Sequence, residues 1–106
     1  MPYRNRFEAK IAKTVPPTFA YESTRLPYTL ECQYLPDWID IHNKEIIEAK
    51  GLFDASDRRK MKAVREQYAD WTITIVFQNP DAKITKQSLT SYAEWCEKNG
   101  IQWRKA

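Results

Sequence analysis

The sequence predicts an α/β domain built around a small mixed β-sheet flanked by helices. Three observations carry that expectation. The run Trp71 to Phe77, WTITIVF, is β-branched at almost every position and reads as a buried strand. Two isoleucine-rich segments, Asp37 to Ile41 and Glu45 to Lys50, bracket His42-Asn43-Lys44 and read as a hairpin. Ser91, with Glu94 three residues later, gives the capping-box pattern of a helix start, and Gly100 is placed as the residue that ends that helix.

In chain order, Arg4 to Lys13 spaces Phe7 and Ile11 four apart, which predicts a short amphipathic helix stopped by Pro16 and Pro17. Thr18 to Glu22 alternates Phe19 and Tyr21 with smaller or polar residues and predicts a strand, with Pro27 to Glu31 a second extended piece. In the hairpin, strand alternation sets Ile46, Glu48 and Lys50 on one face and Ile47 and Ala49 on the other, the latter expected to enter the core. Gly51 ends that strand, and Asp54 or Ser56 caps a helix reaching about Tyr68, with Met61, Val64 and Tyr68 as its inward stripe. Asn79-Pro80-Asp81 breaks the strand that ends at Phe77. The helix from Tyr92 to Asn99 turns Tyr92, Trp95 and Cys96 inward, an aromatic group that suits a core better than a base-stacking platform. Ile101 to Trp103 predicts a final short strand. No internal repeat or low-complexity tract interrupts this order.

With 106 residues, one domain with a modest core is expected, near the size at which dimerisation adds stability. A hydrophobic fraction of 42% argues against disorder, and two glycines leave little room for flexible linkers. Cys32 and Cys96 match no CxxC or zinc spacing, so reduced thiols in a cytosol are expected rather than a disulfide or a sulfur-held metal. No apolar run approaches the roughly 18 residues of a membrane span, and no signal peptide is recognisable, so a soluble cytoplasmic protein without a membrane partner is expected.

The net charge of +3 is unevenly spread. Arg4, Arg6, Lys10 and Lys13 stand against Glu8 in the first stretch, and Arg58, Arg59, Lys60, Lys62 and Arg65 against Asp57 in the second. Between them the chain is acidic. Basic flanks around an acidic centre suit a protein that attracts phosphates at its rim and holds cations in the middle, although each basic cluster taken singly also suits a solvated helix face.

The acidic centre holds Pro36-Asp37 and, beyond the turn, Glu48-Ala49-Lys50. Asp37 and Glu48 would supply hard oxygen ligands for Mg²⁺ or Mn²⁺, and Lys50 a positive charge where a scissile phosphate or attacking water would sit. The same letters also fit an ordinary surface strand of alternating charges. Neighbouring sequence decides between the two.

YLPDW at Tyr34 to Trp38, EAKGLF at Glu48 to Phe53, SDRRK at Ser56 to Lys60, REQY at Arg65 to Tyr68, ITIVF at Ile73 to Phe77 and TSYAEWCEKNGIQW at Thr90 to Trp103 occur in one order, behind RFEAKIAK at Arg6 to Lys13. Over nearly its whole length the chain resembles the phage endonuclease I type of Holliday-junction resolvase, within the PD-(D/E)xK nuclease superfamily. The resemblance implies a restriction-endonuclease-like core forming a single nuclease domain over residues 1–106. Residues 1–31 would be the N-terminal helix and strands that an intertwined, domain-swapped homodimer exchanges, and residues 32–106 the catalytic core. Glu8, Asp37, Glu48 and the carbonyl of Ala49 would hold one or two Mg²⁺ or Mn²⁺ ions, with Lys50 positioning water and stabilising charge, and Glu8 acting in the partner's site. No small-molecule cofactor is implied.

Arg4, Arg6, Lys10, Arg58, Arg59, Lys62 and Arg65 are the expected DNA phosphate contacts. His42 is expected to serve the turn. Two departures from the family are expected as well: its basic terminal extensions are missing, and the bridge between Tyr28 and Asp37 is shorter. The expected activity is a divalent-metal-dependent endodeoxyribonuclease selective for four-way or branched DNA, acting in the host cytoplasm. A site-specific nicking or homing-type enzyme acting on duplex DNA is the alternative. An inactive DNA-binding module is the third, disfavoured because all four catalytic positions carry competent residues.

Overall fold

The computed structural model describes residues 3–106; Met1 and Pro2, which open the basic N-terminal stretch and the expected domain, lie outside the described residues. The chain divides into two compact units, Met1–Glu31 and Cys32–Ala106.

In the first unit the only regular element among the described residues is α1, Arg6–Ala12, capped by Asn5, whose side chain accepts the Glu8 backbone N–H. None of its residues is buried: Phe7 is 70% and Ile11 42% exposed. The strand expected at Thr18 to Glu22 does not form among the described residues, and the piece expected to be extended at Pro27 to Glu31 carries no regular strand either. Alternation alone makes no strand without a neighbour to take its backbone hydrogen bonds. Proline at 16, 17 and 27 also removes donors from this stretch.

The second unit carries β1 (Trp38–Asp40), β2 (Glu45–Lys50), α2 (Ala55–Gln67), β3 (Thr72–Phe77), α3 (Tyr92–Lys98) and β4 (Gln102–Lys105). The sheet order is β1-β2-β3-β4, with β1 antiparallel to β2 and the other two pairings parallel. This is the mixed sheet the sequence predicts. Asp40 closes the hairpin turn by accepting the Asn43 N–H and side-chain amide, and Lys44 takes a left-handed φ of 55°. Each parallel pairing is bridged by a helix, as parallel strands require.

Both helices start on capping boxes, Asp54 with Asp57 and Ser91 with Glu94, which satisfy backbone donors that would otherwise lack partners. Gly100, at φ 69°, follows α3 in a conformation that side-chain-bearing residues rarely adopt. The core lies on one face of the sheet, where Ile46, Ile73, Ile75 and Phe77 meet Met61 and Val64 of α2 and Tyr92 and Cys96 of α3. Phe53 sits among them, fully buried, with its ring edge-on to Phe77, Tyr92 and Trp95 at 5.1–5.6 Å between centroids.

Two expectations about facing are corrected here. Ile46 and Glu48 occupy the core side of β2, while Ile47 is half-buried and Ala49 exposed on the other side. Alternation fixes which residues share a face but not which face the helices cover. Tyr68 is half exposed rather than part of the inward stripe, because it is the C-cap of α2 with non-helical φ/ψ, and its ring lies edge-on to Trp71 instead. The uncovered face carries a recess of about 330 Å³ lined by Trp38, Ile47, Ala49, Val76 and Arg104. No described helix is long and apolar enough to cross a membrane.

Candidate active site

Glu48 sits in the middle of β2, between β1 and β3, and is only 4% exposed. A buried carboxylate is costly unless donors reach it. Two do: the Tyr34 hydroxyl and the Asp37 backbone N–H each donate to Oε2 at 2.7 Å. Asp37 is in turn held at Oδ2 by the N–H of Ala49 at 2.9 Å. Each acid is therefore anchored by main chain at or beside the other.

Local sequence explains this arrangement. Pro36 has no N–H to extend the β1–β2 pairing, so Asp37 stands just beyond the last paired residue, Trp38, and turns its own N–H to a side chain. The Tyr34 ring packs against the core. Burial first, then the hydrogen bond to Glu48 and the charges of Glu48 and Asp37, push its phenol well above the ordinary range, so it stays a donor.

Lys50 ends β2 on the same side as Glu48, and its ammonium lies 3.3 Å from Oδ1 of Asp57, both side chains being about three-quarters buried. Asp57 uses its other oxygen in the capping box of α2. Strand end and helix start are thereby joined through one carboxylate. Tyr34 and Asp57 received no role from the sequence alone. Tyr34 lies in an irregular segment, and Asp57 was counted only as the lone acid in a basic run.

Glu8, in the first unit, is tied within that unit. Its Oε1 accepts the Tyr21 hydroxyl at 2.6 Å and the Arg4 N–H at 3.0 Å, and its Oε2 meets the Arg4 guanidinium at 2.9 Å. The Tyr21 bond, then that of Arg4, hold this carboxyl below its usual range. Arg4 also pairs with Glu22 at 2.8 Å.

The structure brings Asp37, Glu48 and the Ala49 backbone together, with Lys50 two residues along β2 on the same side as Glu48. Within the second unit no third His, Cys, Asp or Glu completes a metal-ligand cluster among the described residues. Two adjacent carboxylates without sulfur or imidazole are a hard donor set, and that chemistry fits Mg²⁺ or Mn²⁺. His42 lies exposed in the hairpin turn.

The expected phosphate contacts divide by environment. Arg59 and Lys62 on α2, and Arg6 and Lys10 on α1, are exposed. Arg58 and Arg65 are partly buried and donate to backbone carbonyls, Arg58 to Phe53 and Ile84 and Arg65 to Trp71. Those two guanidinium groups already tie loops to α2.

Comparison with known proteins gives the arrangement its family. Endodeoxyribonuclease 1 of Enterobacteria phage T3 is 40% identical over 105 residues, an alignment that takes in 93% of this chain and 68% of the phage protein. Endonuclease I of Escherichia phage T7 is 36% identical over 107 residues, covering 95% and 71% of the two chains. The family profile described as phage endonuclease I matches residues 1–106, and with the acids, the lysine and their spacing in place the chain belongs to the phage endonuclease I family.

Proposed function

We propose that this chain is a divalent-metal-dependent DNA endonuclease that cuts four-way or branched DNA as a homodimer. The observation that carries the proposal is the Asp37–Glu48 tie on a chain of the phage endonuclease I family. Asp37, Glu48, the Ala49 carbonyl and Glu8 would hold Mg²⁺ or Mn²⁺, which supplies Lewis-acid stabilisation of the phosphodiester and a more acidic water. The chain's own work is orientation and charge. Asp37 and Glu48 are fixed by main-chain and tyrosine donors before substrate arrives, which lowers the cost of ordering them during reaction. Lys50, steadied by Asp57, offers a positive charge to the oxygens of the cleaved phosphate.

Exposed Arg59 and Lys62, with Arg6 and Lys10, suit the phosphate backbone and carry no sequence preference of their own. The homodimer is supported by α1. A seven-residue helix with Phe7 and Ile11 turned to solvent gains little from its own chain, and a second copy that covers this face would stabilise it. In such a dimer Glu8 of one chain serves the acids of the other, and two-fold symmetry suits paired cuts in a four-way junction.

The test is cleavage of a four-way junction beside intact duplex plasmid, in Mg²⁺ and in EDTA. Strong junction preference that vanishes in EDTA is expected. Preference for the duplex would replace the branched-substrate reading with that of a nicking enzyme, and full activity in EDTA would remove the metal.

A further inference from the structure

We propose that Tyr34 is a positioning residue that presents Glu48 to the metal. The proposal rests on the metal-dependent reading above and adds to it a residue outside the acids and the lysine. Its basis is the hydrogen-bond pattern: the Tyr34 hydroxyl and the Asp37 N–H both donate to Oε2 of Glu48 at 2.7 Å. Two donors on one oxygen fix the plane of the carboxylate and direct its ligand character to the other oxygen.

One of these donors is main chain and survives any side-chain replacement except proline. The other depends on a single side chain in the segment that leads into Pro36. Because Glu48 is nearly fully buried, water cannot replace a missing donor at no cost, and the carboxylate would turn to find another partner. Hydrogen bonds to ligating groups act in this way in metal sites, where their loss commonly costs about 10–100-fold in metal affinity or activity. The ring of Tyr34 packs against the core and would hold its place without the hydroxyl. Tyr34→Phe therefore separates orientation of Glu48 from packing.

The experiment compares the wild-type chain, Tyr34→Phe and Glu48→Gln. Mn²⁺ binding to the DNA-free protein is followed by electron paramagnetic resonance. The rise in unfolding temperature on adding Mn²⁺ is read against each variant's own transition in EDTA, so a lower baseline does not mask it. Tyr34→Phe is expected to bind Mn²⁺ about 10–100-fold more weakly, the usual scale for losing a hydrogen bond to a metal-ligating group. Binding of a four-way junction in EDTA should be unchanged, and cleavage should recover as Mn²⁺ is raised. Wild-type Mn²⁺ affinity in Tyr34→Phe, with binding lost in Glu48→Gln, would overturn the role of Tyr34 and leave the metal site standing. Wild-type Mn²⁺ affinity in Glu48→Gln would overturn both.

Discussion

Asp37 donates its backbone N–H to Oε2 of Glu48 at 2.7 Å, so the first acid of the site orients the second through main chain rather than through charge. The return bond, from the Ala49 N–H to Oδ2 of Asp37, closes the pair. Substitution at either position removes one carboxylate but leaves a main-chain anchor of the other.

Asp37→Asn and Glu48→Gln are each expected to fold and to bind a four-way junction, while cleavage falls by roughly 10²-fold or more, the scale on which several kcal/mol of lost charge stabilisation shows in a rate. Single-turnover cleavage beside a binding titration checks this. Wild-type cleavage by Glu48→Gln would remove that residue from the site.

Lys50 and Asp57 are expected to show an asymmetry. Lys50→Met removes the positive charge outright, whereas Asp57→Asn keeps an acceptor for the α2 capping box and loses only the ion pair. Cleavage should fall further in Lys50→Met than in Asp57→Asn, with the α2 helix intact in both by circular dichroism. Equal, wild-type rates would leave the pair without a catalytic role.

The basic residues should separate by assay. Arg59→Ala with Lys62→Ala is expected to flatten the dependence of DNA binding on salt by about 2 in log–log slope, at about 0.9 per phosphate contact, with stability little changed. Arg58→Ala and Arg65→Ala should instead destabilise the fold by about 1–3 kcal/mol, because each leaves carbonyls without a partly buried donor. Urea unfolding and binding titrations over a salt series distinguish the two classes.

The capping box of α3 supplies a pH test. The Ser91 backbone N–H, then its side chain, hold the Glu94 carboxyl below its ordinary range. A depressed carboxyl contributes stability above its unfolded pKa, about 4.3, and loses it as pH falls through the lower folded value. The difference in unfolding temperature between wild type and Glu94→Gln is expected to be full at neutral pH and to close in acid below about pH 4. Ser91→Ala should cost about 1 kcal/mol at neutral pH.

Cys96 is fully buried, and burial with the nearby charge of Glu97 pushes its thiol up to about 12. Iodoacetamide at pH 8 should leave Cys96 unmodified in the folded protein and alkylate it after denaturation. Peptide mass mapping reads the outcome.

Much of the second unit was legible in the sequence because its signals are local. The capping residues Ser91 and Glu94, the terminating Gly100 and the β-branched run around Ile73 and Ile75 each fix their own neighbourhood. The closeness of Asp37 and Glu48 was legible because a short turn brings β2 back beside β1, which starts at the residue after Asp37. What sequence could not settle depended on partners distant along the chain. Tyr21 and Phe19 alternate like a strand but find none to pair with, and Ile47 and Ile46 are equivalent until α2 and α3 choose a face. Tyr34 reaches Glu48 across a segment with no periodicity, and the guanidinium groups of Arg58 and Arg65 turn to carbonyls that no charge count foresees.

The placement of Glu48 on the core side of β2, beside Ile46 and across from Ile75, has a consequence for how activity is lost. A reactive group carried on a surface loop can outlast partial melting of the scaffold beneath it. Glu48 is instead buried on the face that the core covers, so under its proposed role cutting ability and cooperative structure should vanish in a single transition. A half-folded chain would then be harmless to the DNA around it.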